Sequence, residues 1–131
     1  MSEQRTYRGG CHCQAVRFEV DLPTKIDVEA CNCSICTMSG NLQIIVPAAR
    51  FRLLQGRESL ATYRFNTGVA QHLFCKLCGI KSFYIPRSNP DGVAVTYRCI
   101  DNWQALDVEI AAFDGQNWED HAASLAHKSR T

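Results

Sequence analysis

The sequence predicts a mainly β fold of small sheets, with one helix at its C-terminal end. Three observations support this class. In several segments apolar and polar residues alternate, as they do when one face of a strand is buried. Glycine, proline and asparagine interrupt the chain often, so most segments are too short for long helices. A helical spacing of apolar residues occurs only after Asn117.

The predicted strands follow one another through short connections. Alternation is clearest over 16–22 and 26–30, and a short apolar strand over 42–46 ends at Pro47. Proline suits the first position of a helical turn, which we expect over 47–51. Further strands are predicted over 51–54, 61–65, 71–74, 81–85, 93–99 and 108–113. We expect 71–74 and 81–85 to form the arms of a hairpin around a turn at 75–79.

The predicted C-terminal helix has a capping signal of its own. Asn117 is a favourable N-cap, and Glu119 and Asp120 place negative charge in the first turn, where it favours the helix dipole. The apolar residues at helical spacing are Trp118, Ala122 and Leu125. These signals predict that the helix begins at Asn117.

Composition limits the class of protein. A chain of 131 residues fits a single domain, 1–131, and a hydrophobic content of 46% argues against disorder. The net charge of +1 weakens the case for nucleic acid or an anionic membrane as the main partner. The N-terminus carries no apolar secretory signal, and no apolar run is long enough to span a bilayer. We therefore expect a cytoplasmic protein.

Eight cysteines in such a chain need an explanation. In a reducing compartment disulfides are rare, and clustered thiols most often hold a metal. Seven of the eight fall into two groups. The first group pairs Cys11 and Cys13 with the turn that contains Cys75 and Cys78. Two ligand pairs that are distant in sequence are the usual way to close a tetrahedral zinc site, so we predict a structural zinc here.

Local sequence supports this first site. Cys75-Lys76-Leu77-Cys78-Gly79 resembles a zinc knuckle, and its glycine permits a positive φ angle. Cys11 and Cys13 are two residues apart, so an extended segment would direct both side chains to the same side. Gly9 and Gly10 would let the backbone approach closely. The alternative, a disulfide or unconnected core thiols, is disfavoured because an i, i+2 disulfide is strained.

The second group is Cys31-Asn32-Cys33-Ser34-Ile35-Cys36, which places three thiols in six residues. Three protein ligands with an open position are typical of a reactive zinc, and three thiolates favour a soft fourth ligand such as sulfur. We expect a loop that wraps Cys31, Cys33 and Cys36 around one face of the metal. A thiol bound there would be deprotonated at neutral pH.

Other interpretations of the second group stay open. It could be a second structural zinc site, completed by Cys99, His12 or His72. It could be a redox pair formed by Cys33 and Cys36, although no thioredoxin-like βαβ pattern surrounds them. Cys99 alternates with apolar residues, which favours a core thiol.

Taken in order, these motifs resemble the family that contains glutathione-dependent formaldehyde-activating enzyme and centromere protein V. The matching segments are 9–13, 31–36 and 72–79, together with 82–90 and 98–101. The resemblance implies a mainly β, Mss4-like fold built around zinc. It also implies two zinc ions per chain. The implied ligands are Cys11, Cys13, Cys75 and Cys78 for a structural zinc, and Cys31, Cys33 and Cys36 for a catalytic zinc. Because an open site holds metal less firmly than a closed one, we expect the second zinc to be partly lost.

The implied activity is carbon–sulfur chemistry. The expected function is that of a zinc-dependent carbon–sulfur lyase, which acts on a glutathione-like thiol and an aldehyde such as formaldehyde, or on their S-hydroxymethyl adduct. Tyr84 and His72 are candidates for the general acid. The competing hypothesis is a non-catalytic zinc module that binds a protein or chromatin partner, and the near-neutral charge argues against chromatin.

Overall fold

The computed structural model describes residues 4–65, 68–114 and 128–129. In these residues the chain forms ten strands and one short helix. The strands are β1 (Gln4–Gly10), β2 (Arg17–Pro23), β3 (Lys25–Cys31), β4 (Gln43–Pro47), β5 (Phe51–Gln55), β6 (Leu60–Tyr63), β7 (His72–Cys75), β8 (Phe83–Tyr84), β9 (Gly92–Thr96) and β10 (Asp107–Phe113). The helix is α1 (Ser34–Ser39). The mainly β prediction is confirmed, whereas the helix predicted from Asn117 lies outside the described residues.

The described strands form three small sheets. One has the order β1-β2-β5, the second β10-β3-β4-β9-β8, and the third consists of β6 and β7. Neighbouring strands are antiparallel except for β10, which runs parallel to β3. The parallel pair places Phe113, at the end of β10, next to Cys31 at the end of β3.

The main core lies between the first two sheets. Alternate residues of β2, from Phe18 to Leu22, are fully buried there, as the period-two pattern predicts. The five-stranded sheet buries its second face as well, where Ile45, Tyr84, Ala94 and Phe113 form a smaller cluster with Cys31 packed against it. A sheet covered on both faces explains why β4 and β9 read as continuous apolar runs.

The predicted hairpin of 71–74 and 81–85 is wrong. β7 pairs with β6, and β8 pairs with β9 at the edge of the five-stranded sheet. Only an isolated bridge between Gln71 and Ile85 joins the two segments among the described residues. The physical reason is burial, because Phe83 and Tyr84 each reach a core only when β8 lies beside β9.

Two further elements differ from the expectations. β1 was not predicted, because an edge strand with only Gly9 and Gly10 buried carries no apolar alternation. The strand expected over 93–99 ends at Thr96, and a 3-10 turn over Tyr97–Cys99 follows. The turn expected after Pro47 is present as a 3-10 turn at Ala48–Arg50. Within the described residues, no helix is long and apolar enough to cross a membrane.

Candidate metal centres

Four cysteines that are distant in sequence meet at one point. The Sγ atoms of Cys11, Cys13, Cys75 and Cys78 all lie within 4.8 Å of one another. Cys13 Sγ is 3.6 Å from Cys11 Sγ and 3.7 Å from Cys75 Sγ. These separations are too long for a disulfide, whose S–S bond is about 2.05 Å. They match the edge of a tetrahedron, about 3.8 Å, when four sulfurs surround zinc at about 2.3 Å. The donor set therefore fits a tetrahedral zinc.

The first pair of ligands is held by the end of β1 and the start of β2. Two hydrogen bonds join Cys11 and Val16. The Cys11 N–H donates to the Val16 carbonyl, and the Val16 N–H donates to the side-chain Sγ of Cys11 at 3.3 Å. A Cβ at Gly10 would lie 2.0 Å from the Val16 carbonyl oxygen, so this approach requires glycine. Cys11 and Cys13 lie in a turn closed by the Gln14 N–H and the Cys11 carbonyl, not in the expected extended segment.

The second pair lies in the predicted knuckle. The Gly79 N–H donates to the Cys75 carbonyl at 2.7 Å, and the Cys75 N–H donates to the Ile80 carbonyl at 3.0 Å. Gly79 has a φ of 79°, as the sequence predicts for the residue after the second cysteine. This closed turn brings Cys78 back beside Cys75. Cys75 is fully buried at the end of β7, so the site joins the two-stranded sheet to the turn after β1.

The three cysteines of the second group also converge. The Sγ atoms of Cys31, Cys33 and Cys36 lie within 4.8 Å of one another. Cys31 ends β3, Cys33 precedes α1, and Cys36 is the buried residue of that helix. The expected loop is therefore wrong for part of the segment, because α1 begins at Ser34. The helix ends at Ser39 and is followed by Gly40, whose φ of 69° is the left-handed conformation typical of a helix C-terminus.

Hydrogen bonds favour one thiolate in this group. The pKa of Cys33 is lowered to about 2 by hydrogen bonds from the Cys31 and Cys36 thiols, and the N–H groups of Cys36 and Ile35 add to this effect. The pKa of Cys31 is raised by the same sulfur contacts, because hydrogen bonds to Cys33 and Cys36 favour the protonated thiol, and burial adds to this effect. Three crowded sulfurs that compete for protons, with backbone N–H groups directed at one of them, suit a soft cation.

A network of hydrogen-bonded polar side chains lies next to Cys36. The side-chain amide of Asn41 lies 3.9 Å from Cys36 Sγ and donates to Gln43 Oε1 at 3.3 Å. The buried hydroxyl of Tyr84 donates to the same Gln43 oxygen. Thr96 Oγ1 donates to the Lys81 carbonyl at 2.7 Å and lies 3.2 Å from Asn41 Oδ1. These bonds connect the three-cysteine site to β4, β8 and β9.

Aromatic rings and one cation lie beside this network. The ring of His72 stacks between Phe65 and Tyr84, with centroid distances of 5.5 and 5.0 Å. Lys81 Nζ lies 3.4 Å from His72 Nδ1 and 4.4 Å from the centre of the Tyr84 ring. Burial and the neighbouring lysine lower the pKa of His72 to about 4. Burial lowers the pKa of Lys81, whereas negative charge on Cys36, Cys33 and Cys31 opposes this shift, and burial raises the pKa of Tyr84.

The structure shows which of the residues proposed as a fourth ligand lie near the three-cysteine group. Within the described residues, the three-cysteine group contains no fourth histidine, cysteine or carboxylate ligand, so His12, His72 and Cys99 do not complete it. Burial raises the pKa of Cys99 to about 11, and the charges that act on it are those of Cys11 and Cys78. Cys99 therefore lies beside the four-cysteine site. Both clusters nevertheless contain every cysteine that the sequence assigned to them.

Sequence reasoning missed three residues near the second site: Asn41, Gln43 and Lys81. Gln43 had a signal, since it is a polar residue in the apolar run of β4 and is buried. A buried amide needs partners, which points to a polar site. Lys81 had none, because a lysine after a turn is ordinarily solvated.

Two comparisons with known proteins agree with this geometry. A family model described as glutathione-dependent formaldehyde-activating enzyme matches residues 6–116. The chain also resembles a protein from Rhodobacter sphaeroides of known crystal structure, with 33% sequence identity and a TM-score of 0.66. That likeness covers 72% of this chain and 88% of the other. Residues 6–116, which the family model matches, include both cysteine clusters.

Proposed function

Since the chain belongs to the glutathione-dependent formaldehyde-activating enzyme family, we propose that it is a zinc-dependent carbon–sulfur lyase. Its substrates would be a glutathione-like thiol and an aldehyde such as formaldehyde, or their S-hydroxymethyl adduct. The observation that carries this proposal is the three-cysteine cluster, which offers three thiolates and no fourth protein ligand among the described residues. An open position is what an external sulfur needs.

The two clusters would have different roles. Cys11, Cys13, Cys75 and Cys78 would hold a structural zinc, because four sulfurs at tetrahedral separations leave no position for a substrate. Cys31, Cys33 and Cys36 would hold a second zinc. A zinc ion in this second site would bind an incoming thiol and favour its deprotonated form. We propose two zinc ions per chain, the second retained less firmly.

The reaction needs little else from the protein. The thiolate sulfur attacks the aldehyde carbon, an S–C bond forms, and the C=O electron pair moves to oxygen, which takes a proton from water. The product is a hemithioacetal, and the reverse step releases the aldehyde. The protein would hold the thiol and the aldehyde close together and would stabilise the deprotonated form of the thiol. Asn41 and the N–H groups of α1 hold Cys36 and Cys33 in place, and the stacked rings of His72 and Tyr84 exclude water from one side.

The proposed setting follows from the same chemistry. All eight cysteines are free thiols, a state that a reducing compartment maintains. We therefore propose a cytoplasmic protein whose partner is a small-molecule thiol, with glutathione as the first candidate. A net charge of +1 offers little attraction for nucleic acid.

The decisive experiment compares wild type with Cys33→Ser and with Cys99→Ser as matched control. Exchange between formaldehyde, glutathione and S-hydroxymethylglutathione is followed by NMR, because the two reactants also combine without help. We expect Cys33→Ser to stay folded, keep one zinc ion, and lose both thiol binding and rate acceleration. Cys99→Ser should retain both. If wild type exchanges at the buffer rate with glutathione and with other thiols, the enzyme proposal fails and a binding module becomes the better explanation.

A further inference from the structure

Lys81 is a partly buried cation whose surroundings are unusual. Its backbone is fixed to β9, since its carbonyl accepts from Thr96 Oγ1 and the Thr96 N–H donates to the Ser82 carbonyl. Its ammonium group points to the stacked rings, 3.4 Å from His72 Nδ1. The imidazole is 5% exposed and neutral at physiological pH, so it accepts a hydrogen bond without balancing the charge. A long side chain is thus held in one place.

The opposite charges near Lys81 come from sulfur. Within the part of the chain that the structure describes, no carboxylate forms an ion pair with its ammonium group. Hydrogen bonds place Lys81 beside the three cysteines: Thr96 Oγ1 bonds to the Lys81 carbonyl and to Asn41, whose amide lies 3.9 Å from Cys36 Sγ. Cys31, Cys33 and Cys36 are the groups whose negative charge acts on Lys81. A buried charge is costly unless it is paired. The three-cysteine site is therefore the group that compensates Lys81.

Charge balance then has a consequence for the ligand. Zinc with three thiolates carries a formal charge of −1, which Lys81 balances. A thiolate as fourth ligand would bring the site to −2, whereas a neutral ligand would leave it at −1. A fixed cation nearby favours the more negative state, and more strongly in a partly buried site than in water.

On the basis of the proposed function, on which this inference rests, we propose that Lys81 makes the three-cysteine site select an anionic sulfur ligand over a neutral one. Lys81 is a specificity-determining residue in this role, and it acts through its charge on the bound sulfur. In this role Lys81 does not bind the carboxylates of glutathione. The selected substrate class is then thiols in general, including thiols that carry no carboxylate.

The test uses the zinc-loaded protein with Lys81→Met, which removes the charge and keeps an apolar side chain of similar length, and with Lys81→Arg, which keeps the charge. Three probes are titrated by calorimetry: glutathione, 2-mercaptoethanol and imidazole. We expect Lys81→Met to weaken the binding of both thiols by about tenfold, because removing a unit charge from a partly buried site weakens its attraction for an anion. Imidazole, a neutral ligand, should bind within about twofold of wild type, and Lys81→Arg should restore much of the thiol affinity.

Equal thiol affinity in wild type and Lys81→Met overturns the proposal. Loss of glutathione binding alone overturns it in favour of a carboxylate contact. Equal loss of thiols and imidazole overturns it in favour of simple packing.

Thiol affinity and exchange rate together test the role of Lys81 and the enzyme proposal independently. A protein that binds thiols in a Lys81-dependent way but does not accelerate exchange refutes the lyase and leaves the role of Lys81 intact. A protein that accelerates exchange, with thiol affinity independent of Lys81, refutes the role of Lys81 alone.

Discussion

The Sγ atoms of Cys13 and Cys75 lie 3.7 Å apart, although 62 residues separate them in sequence. Cys13 lies in the turn after β1, and Cys75 ends β7 in the two-stranded sheet. A metal that binds both would close a long loop, which stabilises the folded chain mainly by restricting the unfolded one. The four-cysteine site therefore links stability to metal content.

The first prediction concerns that metal content. We expect up to two zinc ions per chain by elemental analysis of gently purified protein. A moderate chelator should remove one of them first, because three thiolates with an open position hold zinc less firmly than four. Protein without zinc, in which mass spectrometry finds disulfides, would contradict both metal sites.

Cys75→Ser should destabilise the whole domain. It removes a fully buried ligand, and structural zinc can couple on the order of 10 kcal/mol of binding free energy to folding. We expect insoluble protein or a strongly lowered melting temperature. Cys99→Ser is the matched control, since Cys99 lies near the same site without belonging to it. A normal melting temperature for Cys75→Ser would show that the site is not structural.

Gly10→Ala should loosen the four-cysteine site without touching a ligand. The new Cβ would lie 2.0 Å from the Val16 carbonyl oxygen, which is backbone and cannot turn away. We expect a cost of roughly 2 kcal/mol or more in unfolding free energy, and faster zinc loss to a chelator. Gly40→Ala is the control: its Cβ meets nothing within 4 Å, so only the left-handed φ is penalised. That penalty is about 1–2 kcal/mol, with the four-cysteine zinc retained. Similar zinc loss in both variants would contradict this account.

The variant Tyr84→Phe tests whether the Tyr84 hydroxyl only stabilises the fold through its hydrogen bond or also donates a proton in the reaction. The Tyr84 hydroxyl donates to buried Gln43, and burial raises the pKa of that hydroxyl. Its removal should cost about 1 kcal/mol in unfolding free energy, as for one buried hydrogen bond. We expect exchange rates within a few-fold of wild type, because a buried hydroxyl bonded to an amide is poorly placed to give its proton to a substrate. A large rate loss with unchanged stability would instead make Tyr84 the general acid.

Most strands could be predicted because their pattern is local. Val20 and Leu22 alternate with polar residues, and the run from Ile44 to Val46 is apolar throughout, which matches a strand buried on both faces. The pairing of β8 with β9 could not be predicted. A short strand carries the same local signal beside either neighbour, and only the burial of Phe83 and Tyr84 decides between them.

For the cysteine clusters too, some features could be predicted from the sequence and others could not. By itself the sequence determined which seven cysteines group together, because their spacing suits metal ligands and seldom serves another purpose in a reducing compartment. Only the tertiary structure decided what surrounds the second cluster. Lys81, His72 and Asn41 come from segments without a shared motif, and they meet there because the strands around β8 and β9 bring them together. The charge that acts on a bound ligand depends on distances through space, and spacing along the chain does not encode those distances.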